Sequence, residues 1–274
     1  MASFAETIQA AVADVTRHGF DSQRRLDGWL EKIRAAARRS LISEAELDRQ
    51  LRRTLTTIYA RMTRAGGMDR YQIGTPRFTL ANIKPKLRAE LDRRIMASAN
   101  LIRLNRQQAI EKTLQRFAGW MTSIPAGGSD VVDKRETKCD VRKSLAQLPF
   151  EERRVVIDQG HKLISAINEI TANDGGAIAG LWRSNFRQKN YNYREDHKER
   201  DGQIYLIRGS WAHKAGLLSS SAKFTDDITQ PAEEVFCRCK YIYMYHLTQL
   251  PPDLLSKKGK DEIEKLKRMK GRAA

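Results

Sequence analysis

Apolar residues recur at helical intervals along the first 120 positions of the chain, and the polar residues between them carry the signals that start and stop helices. Phe4, Ile8, Val12 and Val15 step along one face behind a Ser3-Phe-Ala-Glu6 capping box, until His18-Gly19 ends the run. Asp21 or Ser22 can cap a second helix, with Leu26, Trp29, Leu30, Ile33 and Ala37 on its buried side. Ser43-Glu-Ala-Glu46 opens a third, in which Leu47, Leu51, Leu55, Ile58 and Met62 form the stripe and Gly66-Gly67 supplies the stop. Residues 66–83 read as a connecting loop with one short strand at Arg77–Leu80. Pro85 suits a helix first turn, and Leu87, Leu91, Ile95, Ile102, Ile110, Leu114 and Phe117 continue a stripe to Met121. That run is either one long helix or two shorter ones broken near Asn100 or Asn105, where the apolar spacing loosens.

The pattern then weakens. Ser123 to Lys143 holds Pro125, Gly127, Gly128 and scattered charge, which reads as a domain boundary. Pro149 with Glu151 and Glu152 marks another helix first turn, with Val156, Leu163, Ile167 and Ile170 as its buried face up to Asn173-Asp-Gly-Gly176. A shorter helix is expected through Trp182. Asp201-Gly202 followed by Gln-Ile-Tyr-Leu-Ile reads as a turn that launches a strand, because glycine tolerates positive φ and aromatic or β-branched residues suit a pleat. From Val235 the alternation puts Val235, Cys237, Cys239, Tyr241, Tyr243 and Tyr245 on one strand face and Arg238 and Lys240 on the other. Pro251-Pro252 closes this region, and the Lys-rich tail reads as an exposed helix ordered by a partner.

The fold class expected is therefore α+β and mostly helical: a helical N-terminal bundle with a long helix, then a small α+β domain with a short antiparallel sheet. The expected divisions are a basic helical domain at 1–122, a linker at 123–144, an α+β domain at 145–250 and a basic tail at 251–274.

Charge narrows the partners. The formal net charge is +17, and residues 1–120 hold 23 Lys or Arg against 12 Asp or Glu, a balance of +11. Such an excess points to a polyanionic partner. Arg24, Arg38, Arg49, Arg52, Arg53, Arg88, Arg94 and Arg103 lie opposite the apolar stripes, where they can meet the phosphates of duplex DNA without regard to sequence, or dock on an acidic protein surface. No apolar run approaches the ~18 residues of a membrane span, and no charged leader precedes an apolar core, so the reading is a soluble, untargeted chain without a membrane partner. Three cysteines, two of them one residue apart, do not make a secreted disulfide framework and point to a reducing cytoplasm.

Chemistry gathers in one stretch. His197, Cys237 and Cys239 are residue types that bind zinc, with Asp201 or His213 as a candidate fourth ligand and Cys139 as a distant one. The alternative is a metal-free buried cluster in which His197 pins the Asp-Gly turn to the cysteine strand and the thiols act as small hydrophobes.

The ordered set Arg194, His197, Asp201-Gly202 with its aliphatic-aromatic pair, Pro231 and Cys237-Arg238-Cys239 resembles the C-terminal domain of the phage Mu F-like minor head proteins. The likeness spans about 50 of the 274 residues, and reaches back to about residue 180 when Trp182 is included. It implies a phage head-morphogenesis protein: a non-enzymatic, structural component of the virion. Such a protein would be assembled in the host cytoplasm beside the portal or the major capsid protein, in contact with packaged DNA. A rival class is a metal-dependent nuclease or toxin, suggested by Asp196-His197. No Asn follows Asn192 to complete the His-Asn-His pattern such enzymes use, and no glycine-rich phosphate loop is present.

Overall fold

The helices of the N-terminal half start where their caps dictate. In α1 (Phe4–His18) the Ser3 side chain accepts the Glu6 N–H and Glu6 reaches back to the Ser3 N–H, a reciprocal box that satisfies two otherwise orphaned donors. Ser22 caps α2 (Gln23–Ser40), and Ser43 accepts the Glu46 N–H at the head of α3 (Glu44–Thr63). The structure, a computed structural model, describes residues 2–64 and 79–272. The expected Gly66-Gly67 stop and most of the expected 66–83 connection lie outside them. Where that connection and its strand reach described residues they are corrected, because Thr79 and Leu80 already belong to α4 (Thr79–Ser123). Pro85 therefore sits inside that helix rather than at its start.

α4 is one unbroken helix of 45 residues. Asn100 is exposed and Asn105 half-buried, so neither interrupts the packed side. Between Ile102 and Ala109 the buried position falls to Arg106, only 7% exposed. Its guanidinium donates to Glu152 at 2.6 Å and to the carbonyl of Ile42 at 3.0 Å. An arginine whose three guanidinium nitrogens each donate a hydrogen bond thus fills the gap that loosens the apolar spacing.

The expected 123–144 linker is shorter than its composition suggests. α5 (Lys134–Asp174) begins where Asp133 accepts the N–H groups of Arg135 and Glu136, and it runs through Pro149 without ending. Val141, Leu145 and Leu148 on its first turns are core residues, which holds those turns helical ahead of the proline. The remaining connection has a structural task. Gly127 N–H donates to His18 O and Ser129 N–H to Thr16 O, so the loop supplies donors to the last carbonyls of α1. Gly128 has φ +90°, and a Cβ there would lie 2.3 Å from Thr16 O, which restricts the position to glycine.

The chain forms two compact units, Met1–Arg52 with Met96–Ile157, and Arg53–Ile95 with Asp158–Ala274. The boundaries fall inside α3, α4 and α5 rather than in the expected linker. In the first unit Ile8, Val12, Val15 and Ile33 meet Leu114, Phe117 and Met121 of α4 and Val141 and Leu148 of α5. Burying each such side chain stabilises the fold by about 1.5–3 kcal/mol before entropy is counted. Leu47 and Leu51 form a second layer with Ala99 and Ile102.

The second unit packs Leu55 and Met62 on Leu87, Leu91 and Ile95, and on Leu163 and Ile167 of α5. It also holds a three-stranded antiparallel sheet in the order β2-β1-β3, built from β1 (Ala179–Arg183), β2 (Ile204–Leu206) and β3 (Lys240–Met244). The helix expected through Trp182 is thus a strand. Gly176, at φ +76°, ends α5, and Ala179–Arg183 then pairs with both neighbours, Gly180 opposite Tyr205 and Tyr243. Only glycine fits at 180, since a Cβ would come within 2.8 Å of the Tyr241 ring. Asp201-Gly202 does make the turn into β2, with Gly202 at φ +83°. The tail is helical, as α8 (Lys257–Arg272). The fold is α+β and mostly helical, with a long helix and a small sheet near the C-terminus.

Candidate metal centre

The second unit brings His197, Cys237 and Cys239 together from two elements. His197 lies on the short helix α6 (Glu195–Glu199), pinned by the Trp182 indole N–H, which donates to its carbonyl at 3.2 Å. The Trp182 and His197 rings meet edge-on at 5.3 Å. The cysteines occupy a folded loop ahead of β3, not the strand that alternation from Val235 suggests. Ala232 and Phe236 there adopt φ of +66° and +60°, and Val235 points to solvent. Alternation is observed from Tyr241 onward, with Tyr241, Tyr243 and Tyr245 buried.

Side chains from well-separated positions fix this loop. Asp158 of α5 accepts the Phe236 N–H at 2.6 Å, the Tyr191 hydroxyl bridges the Phe236 carbonyl and the Arg238 N–H, and Asn185 donates to the Arg238 carbonyl. Arg194 donates to the Val235 carbonyl and lies 2.5 Å from a Glu234 carboxylate oxygen. The result is that both sulfurs stand 3.5 Å from His197 Nδ1, with all three ligand atoms within 4.8 Å of one another. The three residues are 1–5% exposed.

The electrostatics suit a cation. The Cys239 thiol hydrogen-bonds to Cys237, and with the Ala232 N–H this pulls the Cys237 thiol down to about 6 despite its burial. Cys239, left holding the shared proton in a desolvated site, is pushed up. One sulfur is ready to ionise and the other is held back by its neighbour's charge, an arrangement that a bound cation would relieve. This buried group can hold a metal ion. It comprises three donors, and among the described residues no other His, Cys, Asp or Glu belongs to it.

The candidate fourth ligands lie elsewhere. Asp201 accepts the Ser184 N–H at 2.9 Å and pairs with Arg187, capping the end of β1. His213 sits on α7 (Trp211–Lys214) against Phe224, with its Nδ1 toward the Gly209 N–H. Cys139 is exposed on α5 in the first unit. Glu234, which the sequence reading did not single out, is adjacent instead, 3.5 Å from His197 Nε2. Its signal was its place in the same short loop as the cysteines.

The arginines expected to face DNA divide into three sets. Arg49 pairs with Glu46, Arg52 with Asp48, Arg88 with Asp92, and Arg103 with Glu44. Arg94 is tied to the buried Glu90 and is only 16% exposed, so it is a packing residue of the second unit. Arg24, Arg38 and Arg53 are exposed and carry no ion pair among the described residues. No described helix is long and apolar enough to cross a membrane. Comparison with family models, with curated proteins and with solved structures returned no match.

Proposed function

We propose that this chain is a structural minor head protein of a phage, a non-enzymatic component that docks beside the portal or major capsid protein and touches packaged duplex DNA. One observation carries the reading: Arg194, His197, Cys237 and Cys239, four residues of the Mu F-like resemblance that are distant in sequence, are joined in one cluster through Glu234. Arg194 holds Glu234, Glu234 faces His197, and His197 meets Cys237 and Cys239, while Asp201 caps the strand beside them. The near-complete burial of the donors supports a staple over a catalytic site, because a substrate would have no path to atoms 1–5% exposed. It also argues against the nuclease or toxin alternative.

Zinc is the ion that suits the donors. A tetrahedral ion with bonds of about 2.3 Å to sulfur and 2.0–2.1 Å to nitrogen sets nitrogen and sulfur about 3.5 Å apart, and two thiolates with an imidazole favour zinc over harder cations. The observed separations of 3.5 Å match that spacing.

Mass spectrometry of purified virions tests the functional reading. The protein should be a fixed-stoichiometry component of particles purified through a density gradient. Its presence in the lysate alone, with particles free of it, would overturn the reading.

A further inference from the structure

The two ring nitrogens of His197 face unlike surroundings. Nδ1 faces the two sulfurs, whereas Nε2 faces carboxylates, Glu234 Oε2 at 3.5 Å and Asp196 Oδ2 at 3.8 Å. Nε2 is buried and makes no hydrogen bond among the described residues. Asp196 is engaged by Arg200 at 2.6 Å, and the Glu234 oxygen by Arg194 at 2.5 Å. An imidazole that ligates a cation through one nitrogen carries its proton on the other. A carboxylate that accepts that proton fixes the tautomer and the ring plane.

We propose that Glu234, oriented by Arg194, is the positioning residue of the metal centre: it receives the Nε2–H of His197 and thereby keeps the Nδ1 lone pair directed at the cation between Cys237 and Cys239. The inference rests on the zinc reading of this site. Closing the 3.5 Å gap to a charge-assisted hydrogen bond of about 2.8 Å needs a side-chain shift of less than 1 Å. Glu234 Oε2 is buried and, like His197 Nε2, makes no hydrogen bond among the described residues, so two unpartnered polar atoms face each other across that gap. The same loop carries both thiols, and the Cys237 N–H donates to the Glu234 carbonyl at 3.2 Å. One short segment therefore delivers two ligands together with the group that orients the third. Arg194 gains a reason to be there: its guanidinium, 2.5 Å from Glu234 Oε2, holds the carboxylate beside His197.

The test uses the reduced full-length chain titrated with cobalt(II), whose thiolate charge-transfer and d–d bands report ligand number and geometry, followed by displacement with zinc. Wild type should give a two-thiolate tetrahedral spectrum. Glu234→Ala should lower cobalt affinity about 10–100-fold with the saturated spectrum unchanged, and Glu234→Gln, which keeps an acceptor, should lose less. Arg194→Gln leaves the carboxylate in place and should lie nearer wild type than Glu234→Ala, which guards against misreading a folding defect. In the metal-free chain, nitrogen-15 NMR should show the Nε2–H tautomer of His197 in wild type and its loss in Glu234→Ala, an effect that general destabilisation would not produce. If wild type binds cobalt through two thiolates and Glu234→Ala binds within threefold of it, Glu234 does not position the ligand. If wild type shows no thiolate band, the zinc reading fails, and this inference with it.

Discussion

The Nδ1 of His197 and the Sγ of Cys239, 42 residues apart in the chain, lie 3.5 Å apart in the interior of the second unit. Their meeting joins α6 to the loop ahead of β3, so the site ties two loop-borne elements to the sheet. A closure over that separation gains from any cross-link, because the unfolded chain loses loop entropy when the ends are held.

Removing the histidine should loosen the whole sheet. His197→Ala takes away a buried ring packed on Trp182, along with the partner of both thiols, and is expected to destabilise the second unit by about 3 kcal/mol. Urea denaturation followed by tryptophan fluorescence measures it. Stability equal to wild type would show that the cluster is no staple.

Thiol chemistry should sort the cysteines without mutation. Cys139 is exposed whereas Cys237 and Cys239 are buried, so a thiol reagent should modify one of three cysteines in the native chain and all three in denaturant. If the centre holds zinc, chelation should lower the melting temperature and speed modification of the protected pair. A melting temperature indifferent to chelator would speak for the metal-free cluster.

The aromatic core predicts an alkaline limit. Burial raises the hydroxyl pKa of Tyr191, Tyr205, Tyr241 and Tyr243 above the usual value near 10, most strongly for Tyr243. In the unfolded chain these groups ionise near 10, while in the native state they keep their protons. Above pH 10 the native state thus binds more protons than the unfolded one, and stability falls as pH rises. At least these four of the eight tyrosines should titrate late in an ultraviolet absorbance titration and appear together with unfolding. Smooth ionisation of all eight near pH 10 with the fold intact would contradict the packing.

DNA contact, if the basic faces serve it, should depend on the arginines without internal partners. Reversing Arg24, Arg38 and Arg53 to Glu in the full chain should weaken binding to random duplex DNA and reduce the salt slope by about 3. Reversing Arg94, which is packed against Glu90, should instead destabilise the fold. Binding that is absent at low salt would leave docking on an acidic portal or capsid surface as the role of the charge.

At Gly128 the expected effect is purely steric and conformational. Gly128→Ala combines a positive φ with a close approach to Thr16 O, whereas Gly127→Ala, at φ +94° with open space around its Cβ, carries only the backbone strain. The second should cost about 1–3 kcal/mol and the first more, as read from denaturant midpoints. Equal effects would mean that the loop does not cap α1 as described.

Local signals were legible in the sequence, and long-range ones were not. The caps at Ser3, Ser22 and Ser43 and the stripe from Leu87 to Met121 depend on neighbours within four residues, and the structure agrees with them. The metal donors were legible as residue types. Glu234, Asp158 and Tyr191 were not, because what makes them part of the site is contact across the fold; Asp158 reaches Phe236 over 78 positions. β1 was misread as helix because a central strand packed on both faces shows no alternation of apolar and polar residues. The helix over 134–148 was missed because its charged first turns resemble a linker, and Pro149 offered a more obvious start. At Arg106 a buried guanidinium occupied a position that periodicity reserves for an apolar side chain.

The division of α3, α4 and α5 between the two units has a consequence for synthesis. A ribosome that has released the first 120 residues has delivered α1 to α3 and most of α4, yet Val141, Leu145 and Leu148, which close the core around Ile8 and Phe117, are not yet available. The nascent chain must therefore carry an open apolar seam until α5 emerges. Cotranslational folding of the first unit then proceeds by waiting, and its exposure to aggregation or chaperone capture is greatest before α5 emerges.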